Sequence, residues 1–297
     1  MLVSSIRGNS QRLDGGALFG NAPRALWSRW AEPDERGRIP LECRAMLLES
    51  EGRKVLFETG IGCFFPPDLR DRYGVVESEP ILLQSLAALG LSDSDIDAVV
   101  LSHLHFDHAG GLLAPYAGNR PLELLFPRAE FVVSARAFER AERPHLRDRA
   151  SFIEELPALL RASNRLRLVE DADAAAKLLG AGIGFVLTDG HTPGMLHAEV
   201  SGARASLLLC ADLIPGTAWV NQAITMGYDR YPERLVDEKG DLCAARVTDS
   251  HHLFYTHDPR FAASRVTRDA RGRFAPHANI PDFSRWNVNA SAAPGTS

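Results

Sequence analysis

The stretch Ser102-His103-Leu104-His105-Phe106-Asp107-His108-Ala109-Gly110-Gly111 places three histidines and one aspartate within six residues. The apolar run just before it, "DAVVL", reads as a buried strand, so His103 and His105, two apart, project to the same side of its end. Asp107 and His108 follow, and Gly110-Gly111 then lets the chain turn sharply. A helix would pair His103 with Asp107 at i, i+4 but would leave His105 out. The spacing therefore fits a strand-end loop that presents ligands in two directions better than a helical zinc motif. If such a loop is half of a metal site, the other half must come from elsewhere in the chain.

Three further strand ends supply matching chemistry. "GFVLTDGHTPG" carries His191 in a Gly-flanked turn, "ASLLLCADLIPG" carries Asp212 directly after a buried run, and "HLFYTHDP" carries His257 before Pro259. In open α/β sheets, ligands gather at the carboxyl ends of strands. Neutral imidazole and carboxylate are the donors expected for zinc and similar divalent ions.

The remaining short apolar runs, "CRAMLLES", "KVLFETG" and "EFVVSA", also read as strands that end at polar or Gly-rich turns. Between them, "EPILLQSLAALG" has helical spacing and stops at Gly90. "SARAFERAERP" and "SFIEELPALLRASNRL" predict a helical insertion over about 134–166. Mixed strands and helices predict an α/β layered domain over residues 1–275. Residues 1–40, turn-rich and aromatic, are expected to form a covering loop, and 276–297 a loose tail.

Composition excludes some functions. A chain of 297 residues, 45% hydrophobic and 24% charged, has the balance of a soluble globular protein with a sizeable core. Its net charge of -5 gives no electrostatic reason to expect nucleic acid or an anionic membrane as partner. Cys43, Cys63, Cys210 and Cys243 form no C-x-x-C pair, which suits a reduced compartment. The start, "MLVSSIRGNSQRLDGG", lacks the apolar core of a leader, and no apolar run is long enough to span a bilayer; a cytoplasmic location is expected.

The order H-x-H-x-D-H, then G-H-T-P-G, then a strand-end Asp and a late strand-end His, resembles the metallo-β-lactamase-fold hydrolase superfamily from about Leu41 to His257. "DGGALFG", the "ETGIG" turn and "CADLIP" with "THDP" look like its branch of acyl-homoserine lactonases and methyl-parathion-hydrolase-like enzymes. The resemblance implies a four-layer αββα sandwich with a dinuclear metal site at its strand ends. It implies that His103, His105 and His191 hold one ion, that Asp107, His108 and His257 hold the other, and that Asp212 bridges them. Two divalent ions are implied, Zn2+ foremost and Mn2+, Fe2+ or Co2+ as substitutes. A homodimer is implied only by the resemblance.

Two such ions would share a water as hydroxide, which attacks an ester or lactone-type bond of a small molecule. Asp107 would orient it or pass a proton to the leaving group, so Asp107 and Asp212 are the catalytic carboxylates. Thioesters, phosphotriesters and phosphodiesters suit the same site, and an iron-containing redox protein is the alternative of another class. No flavin-binding domain follows His257, which argues against the flavo-diiron form. Two departures from the family stand out. The "DTG" turn reads Glu58-Thr59-Gly60, and Pro215 stands where lactonases often have Tyr; Tyr228 in "MGYDRYP" is the candidate to replace it.

Other residues read more simply. His197 is expected to be structural, His251-His252 to sit on a solvated loop before a strand, and His145 and His277 to be bystanders. Cys210 reads as a small buried hydrophobe. The arginines from Arg136 to Arg149 read as a solvated helix face. Phe19, Trp27, Trp219, Met226 and Tyr228 either line an apolar pocket or plug the core.

Overall fold

A computed structural model describes residues 1–118, 120–290 and 293–294. Two sheets stack face to face. The first runs, edge to edge, Trp286–Asn287, Leu2–Ile6, Ala45–Ser50, Arg53–Phe57, Ala98–Val100, Glu130–Ser134 and Leu166–Val169. The second runs Phe274–Ile280, Ala263–Arg268, His251–Phe254, Ser206–Leu209, Met195–Ser201 and Ile183–Thr188.

Alternation along the strands makes the layers. Leu47 and Leu56 face outward onto helices Ile81–Ala88, Ala135–Glu142 and Leu156–Ala162, through Leu86, Phe138 and Leu160. Their neighbours Met46, Leu48, Val55 and Phe57 point the other way and meet Leu196, Leu207 and Phe254 of the second sheet. On the far face of that sheet, Leu208 and Leu253 pack with Leu235 and Leu242 of helix Pro232–Ala244. Both faces of each central strand are buried, so these strands read in sequence as unbroken apolar runs. The result is the expected four-layer αββα sandwich.

Strand direction gathers the site at one end. Arg53–Phe57, Ala98–Val100 and Glu130–Ser134 are mutually parallel, so Glu58 and His103 emerge together. Ser206–Leu209 and His251–Phe254 are also parallel, which brings Asp212 and His257 out side by side.

Two expectations are corrected. Residues 1–40 are not simply a loop: Leu2–Ile6 lies inside the first sheet, and Gln11–Asp14 pairs with Arg38–Leu41. These two strands, through Leu13 and Leu41, and the stretch between them, through Leu18, cover the pocket end. The segment after 275 is not a loose tail over its described part. Phe274–Ile280 continues the second sheet, Trp286–Asn287 pairs with Leu2 and Val3, and Phe283, Trp286 and Val288 are buried. The buried Arg44 guanidinium further ties this segment down through Asp282 at 2.8 Å. The tail expectation at 291, 292 and 295–297 lies outside the described residues. His252 is likewise no loop residue. It is a buried strand position, set edge-on against Trp286.

Candidate metal centre

The loop carrying His103 leaves the strand Ala98–Val100, and His105 then caps a single helical turn, Phe106–Ala109. Asp107 and His108 thus sit on that turn, while His103 and His105 precede it. The Glu58-Thr59-Gly60 turn clasps it: the Thr59 N–H and hydroxyl both donate to the His108 carbonyl at 2.9 Å. Gly111 packs so closely that a Cβ there would lie 2.1 Å from the Thr59 carbonyl oxygen, which explains the Gly110-Gly111 pair.

The donor atoms fall into two groups, His103, His105, His191 and Asp212, and Asp107, His108 and His257, each within 4.8 Å. Asp212 joins them. Its Oδ1 lies 3.1 Å from His108 Nε2 and 3.2 Å from His257 Nε2, while its Oδ2 lies 3.2 Å from His191 Nε2. The structure thus brings together all seven residues singled out as ligands, in the grouping expected.

The donors fit metal ions. Four ligands 2.0–2.1 Å from a tetrahedral centre stand about 3.3 Å apart, close to the spacings found here. His103 Nδ1 is paired with the Ser102 hydroxyl at 2.9 Å, while its Nε2 is buried with no hydrogen-bond partner, a costly state unless a ligand takes it up. His191 Nε2 faces His105 Nδ1 at 3.2 Å, and His257 Nε2 faces His108 Nε2 at 3.1 Å, as rings aimed at a common point.

Electrostatics divides the cluster. Burial first, and then neighbouring imidazoles, hold His103 and His105 well below the ordinary imidazole range, so both are neutral and ligand-ready. Burial opposes charge on His108 and His257 and is the largest single effect on each, but Asp212, joined by Glu58 and Asp107 at His108 and by Cys43 at His257, more than offsets it and holds both well above that range. His191 is raised in the same way, with Asp229 helping. Asp212 itself, despite burial, is held well below the carboxylate range by these three rings.

Outer partners fix the rings. Glu58, fully buried, accepts the Ser102 N–H at 2.9 Å and presents Oε2 to His108 Nδ1 at 3.3 Å. The longer carboxylate thus comes within ion-pair distance of a candidate ligand, although Glu58 Oε2 and His108 Nδ1 make no hydrogen bond, with Glu58 at φ +66. Asp229, which the sequence reading passed over beside Tyr228, meets His191 Nδ1 at 2.9 Å. Its signal was the carboxylate in "MGYDRYP", visible only as a neighbour of the more conspicuous tyrosine. The His257 Nδ1–H donates to the Glu42 carbonyl at 2.7 Å. Such contacts set ring orientation and tautomer.

His105, His191 and Asp212 of one group and Asp107 and His257 of the other form the floor of a cavity of about 240 Å³, walled by Leu13, Leu18, Leu41, Phe106 and Met226, with Arg72, Tyr73 and Tyr228 also lining it. Phe19, Trp27 and Trp219 do not line it; they stack behind it, Phe19 at 4.4 Å from Trp219 and 5.7 Å from Trp27. His197 is buried between Thr188 and the Leu209 carbonyl, in the body of the second sheet. Cys210 is buried, and His277 sits on a strand. No helix among the described residues is long and apolar enough to cross a membrane.

Comparison with known proteins agrees with this geometry. A probable metallo-hydrolase of Mycobacterium bovis, Mb2322c, is 30% identical over 197 residues, covering 59% of this chain and 57% of that protein. The chain thus matches little more than half the length of this curated relative. The N-acyl homoserine lactonase AiiB of Agrobacterium fabrum is 34% identical over 126 residues, 41% of this chain and 42% of AiiB. The crystal structure of a probable metal-dependent hydrolase from Staphylococcus aureus superposes with a TM-score of 0.80 at 25% identity, covering 94% of this chain and 97% of that one. The model of the metallo-beta-lactamase superfamily matches residues 38–251. With that match spanning most of its length, the chain belongs to the metallo-beta-lactamase superfamily.

Proposed function

We propose that the protein is a dinuclear metal-dependent hydrolase that cleaves an ester or lactone bond in a small, largely apolar molecule. The observation that carries this reading is Asp212, whose two oxygens face the two donor groups separately. The similarity to a lactonase and to probable metallo-hydrolases supports the same class.

Divalent ions, zinc foremost, supply Lewis acidity for the carbonyl oxygen and acidify a water molecule. The chain's own residues do the rest. The apolar wall of Leu13, Leu18, Leu41 and Met226 excludes water and receives the organic part of the substrate. Asp107, the least buried of the donors, faces the cavity; its carboxylate takes the proton of the attacking water and returns it to the leaving oxygen as the C–O bond breaks. Tyr228 sits at the cavity edge, 38% exposed, and partial desolvation, then the charges of Asp107 and Asp14, hold its phenol above its ordinary range. It therefore stays protonated and donates to the substrate oxygen that gains charge. Glu58 and Asp229 keep His108 and His191 oriented.

The test combines metal analysis of the purified protein with a panel of lactone, ester, thioester, phosphotriester and phosphodiester substrates. His103→Ala and Asp212→Ala should abolish turnover. Absence of stoichiometric metal, or unchanged hydrolysis in those variants, would overturn the reading. A preference for the phosphoesters would keep the class and change the substrate. Stoichiometric iron with no hydrolysis would favour redox chemistry.

A further inference from the structure

Tyr228 lies on a short loop that has no secondary structure of its own, yet three parts of the fold converge on it. From the N-terminal segment, the Ala17 carbonyl accepts the Gly227 N–H at 2.8 Å. Gly20 packs so close that a Cβ there would meet the Thr225 carbonyl oxygen at 2.6 Å. From below, Asp229 accepts the Met226 N–H at 2.6 Å with the oxygen that His191 does not use. The third contact comes from the helical insertion. Arg147 Nη2 donates to the Gly227 carbonyl at 2.7 Å and reaches the Asp229 carbonyl at 3.4 Å.

These two carbonyls flank Tyr228. The Gly227 carbonyl belongs to the peptide plane that carries the Tyr228 N–H, and the Asp229 carbonyl lies one residue beyond it. Holding the plane that enters Tyr228, and the chain again two peptide bonds further on, restricts the backbone on both sides of the tyrosine, and with it the direction in which the phenol leaves the chain. Arg147 is itself fixed in place. Its N–H donates to His145 Nδ1 at 3.1 Å, and the next residue, Asp148, is buried and accepts from Arg140 Nε and Nη2 at 2.9 and 2.6 Å. The same stretch of the insertion supplies Ala150 and Ser151 to the cavity lining, so insertion and loop together form the cavity mouth.

Resting on the hydrolase reading above, we propose that Arg147 is a positioning residue for Tyr228: its guanidinium grips the two carbonyls flanking the tyrosine and aims the phenol at the bond being cleaved. Arg147 is exposed, and removing its side chain opens no hole in the core, so its loss should be felt in the loop rather than in global stability. The arginines of this stretch are thus not merely a solvated face.

The test is a double-mutant cycle on the metal-loaded protein with Arg147→Ala, Arg147→Lys, Tyr228→Phe and the Ala/Phe double variant. A charged hydrogen bond of ordinary strength predicts about a tenfold loss of kcat/KM in Arg147→Ala. Tyr228→Phe should cost at least as much, and the double variant no more than Tyr228→Phe alone. Lysine, which can still donate to one carbonyl, should restore part of the activity. A second readout needs no turnover: the amides of residues 226–230 should exchange faster in Arg147→Ala, with metal content and melting temperature unchanged. Multiplicative effects of the two substitutions, or wild-type kinetics in Arg147→Ala, overturn the positioning role. Absence of metal and of hydrolysis in the wild type instead overturns the functional reading, and the exchange rates alone then decide whether Arg147 holds the loop.

Discussion

Replacing Glu58 with Gln should weaken one metal position and spare the other. Glu58 accepts the Ser102 N–H through Oε1 and offers Oε2 to His108 Nδ1. In the amide, the carbonyl oxygen stays on the Ser102 N–H, so the NH2 group faces His108 Nδ1. That ring then carries its proton on Nε2, the nitrogen aimed at Asp212, and loses the lone pair a metal needs. Loss of an outer partner typically costs ten- to a hundredfold in metal affinity. The 3.3 Å contact is long, which places Glu58→Gln near the lower end, about tenfold or ~1.4 kcal/mol. Asp229→Asn makes the same change at His191 across a 2.9 Å contact, and should fall nearer a hundredfold, about 2.8 kcal/mol. Zinc titration of the metal-free variants against a chromophoric chelator reads both binding steps. Each variant should weaken a different step, and the double variant both. Weakening of the same step by both substitutions, or of neither, would refute the assignment of His108 and His191 to separate ions.

Zinc should displace protons from the metal-free site, because His108, His191 and His257 are held above the ordinary imidazole range there and must deprotonate to bind. Apparent affinity should therefore fall as pH falls, and calorimetry in two buffers of different ionisation enthalpy should show proton release; identical heats would contradict this. Lys239 is buried, donates to the Ile224 carbonyl at 2.6 Å, and is pushed down to about 8 by burial. An unfolded lysine titrates near 10.4, so between those values the unfolded chain binds more protons and stability rises with pH, by up to about 3 kcal/mol. Denaturant unfolding from pH 7.5 to 10 should show the wild type gaining on Lys239→Met over that window, and a constant difference would contradict it. Phe19→Ala should cost about 3–5 kcal/mol, since the fully buried ring stacks on both Trp27 and Trp219. Chemical denaturation measures it, and a cost under ~1 kcal/mol would mean that the stack collapses without loss.

Much of the site was legible in the sequence because its residues are chemically conspicuous and locally grouped. His103, His105, Asp107 and His108 share one loop, and His191, Asp212 and His257 each follow an apolar run that reads as a strand. The layered α/β class followed from the same runs. What was missed rests on partners distant in the chain. Trp286 is buried because it pairs with Val3, some 283 positions away, and no local pattern around it announces a strand. His252 looked like a loop residue until Ser206–Leu209 and Trp286 enclosed it.

The sequence by itself determined which donor residues were available and the family they mark, since donor type is a property of the side chain. Only the tertiary structure decided how those donors are tuned. Glu58 touches His108, Asp229 touches His191 and Arg147 touches the carbonyls beside Tyr228 through contacts that span 38 to 82 residues of chain. Orientation, tautomer and cavity shape depend on distances of a few ångströms between segments whose separation along the chain carries no record of it.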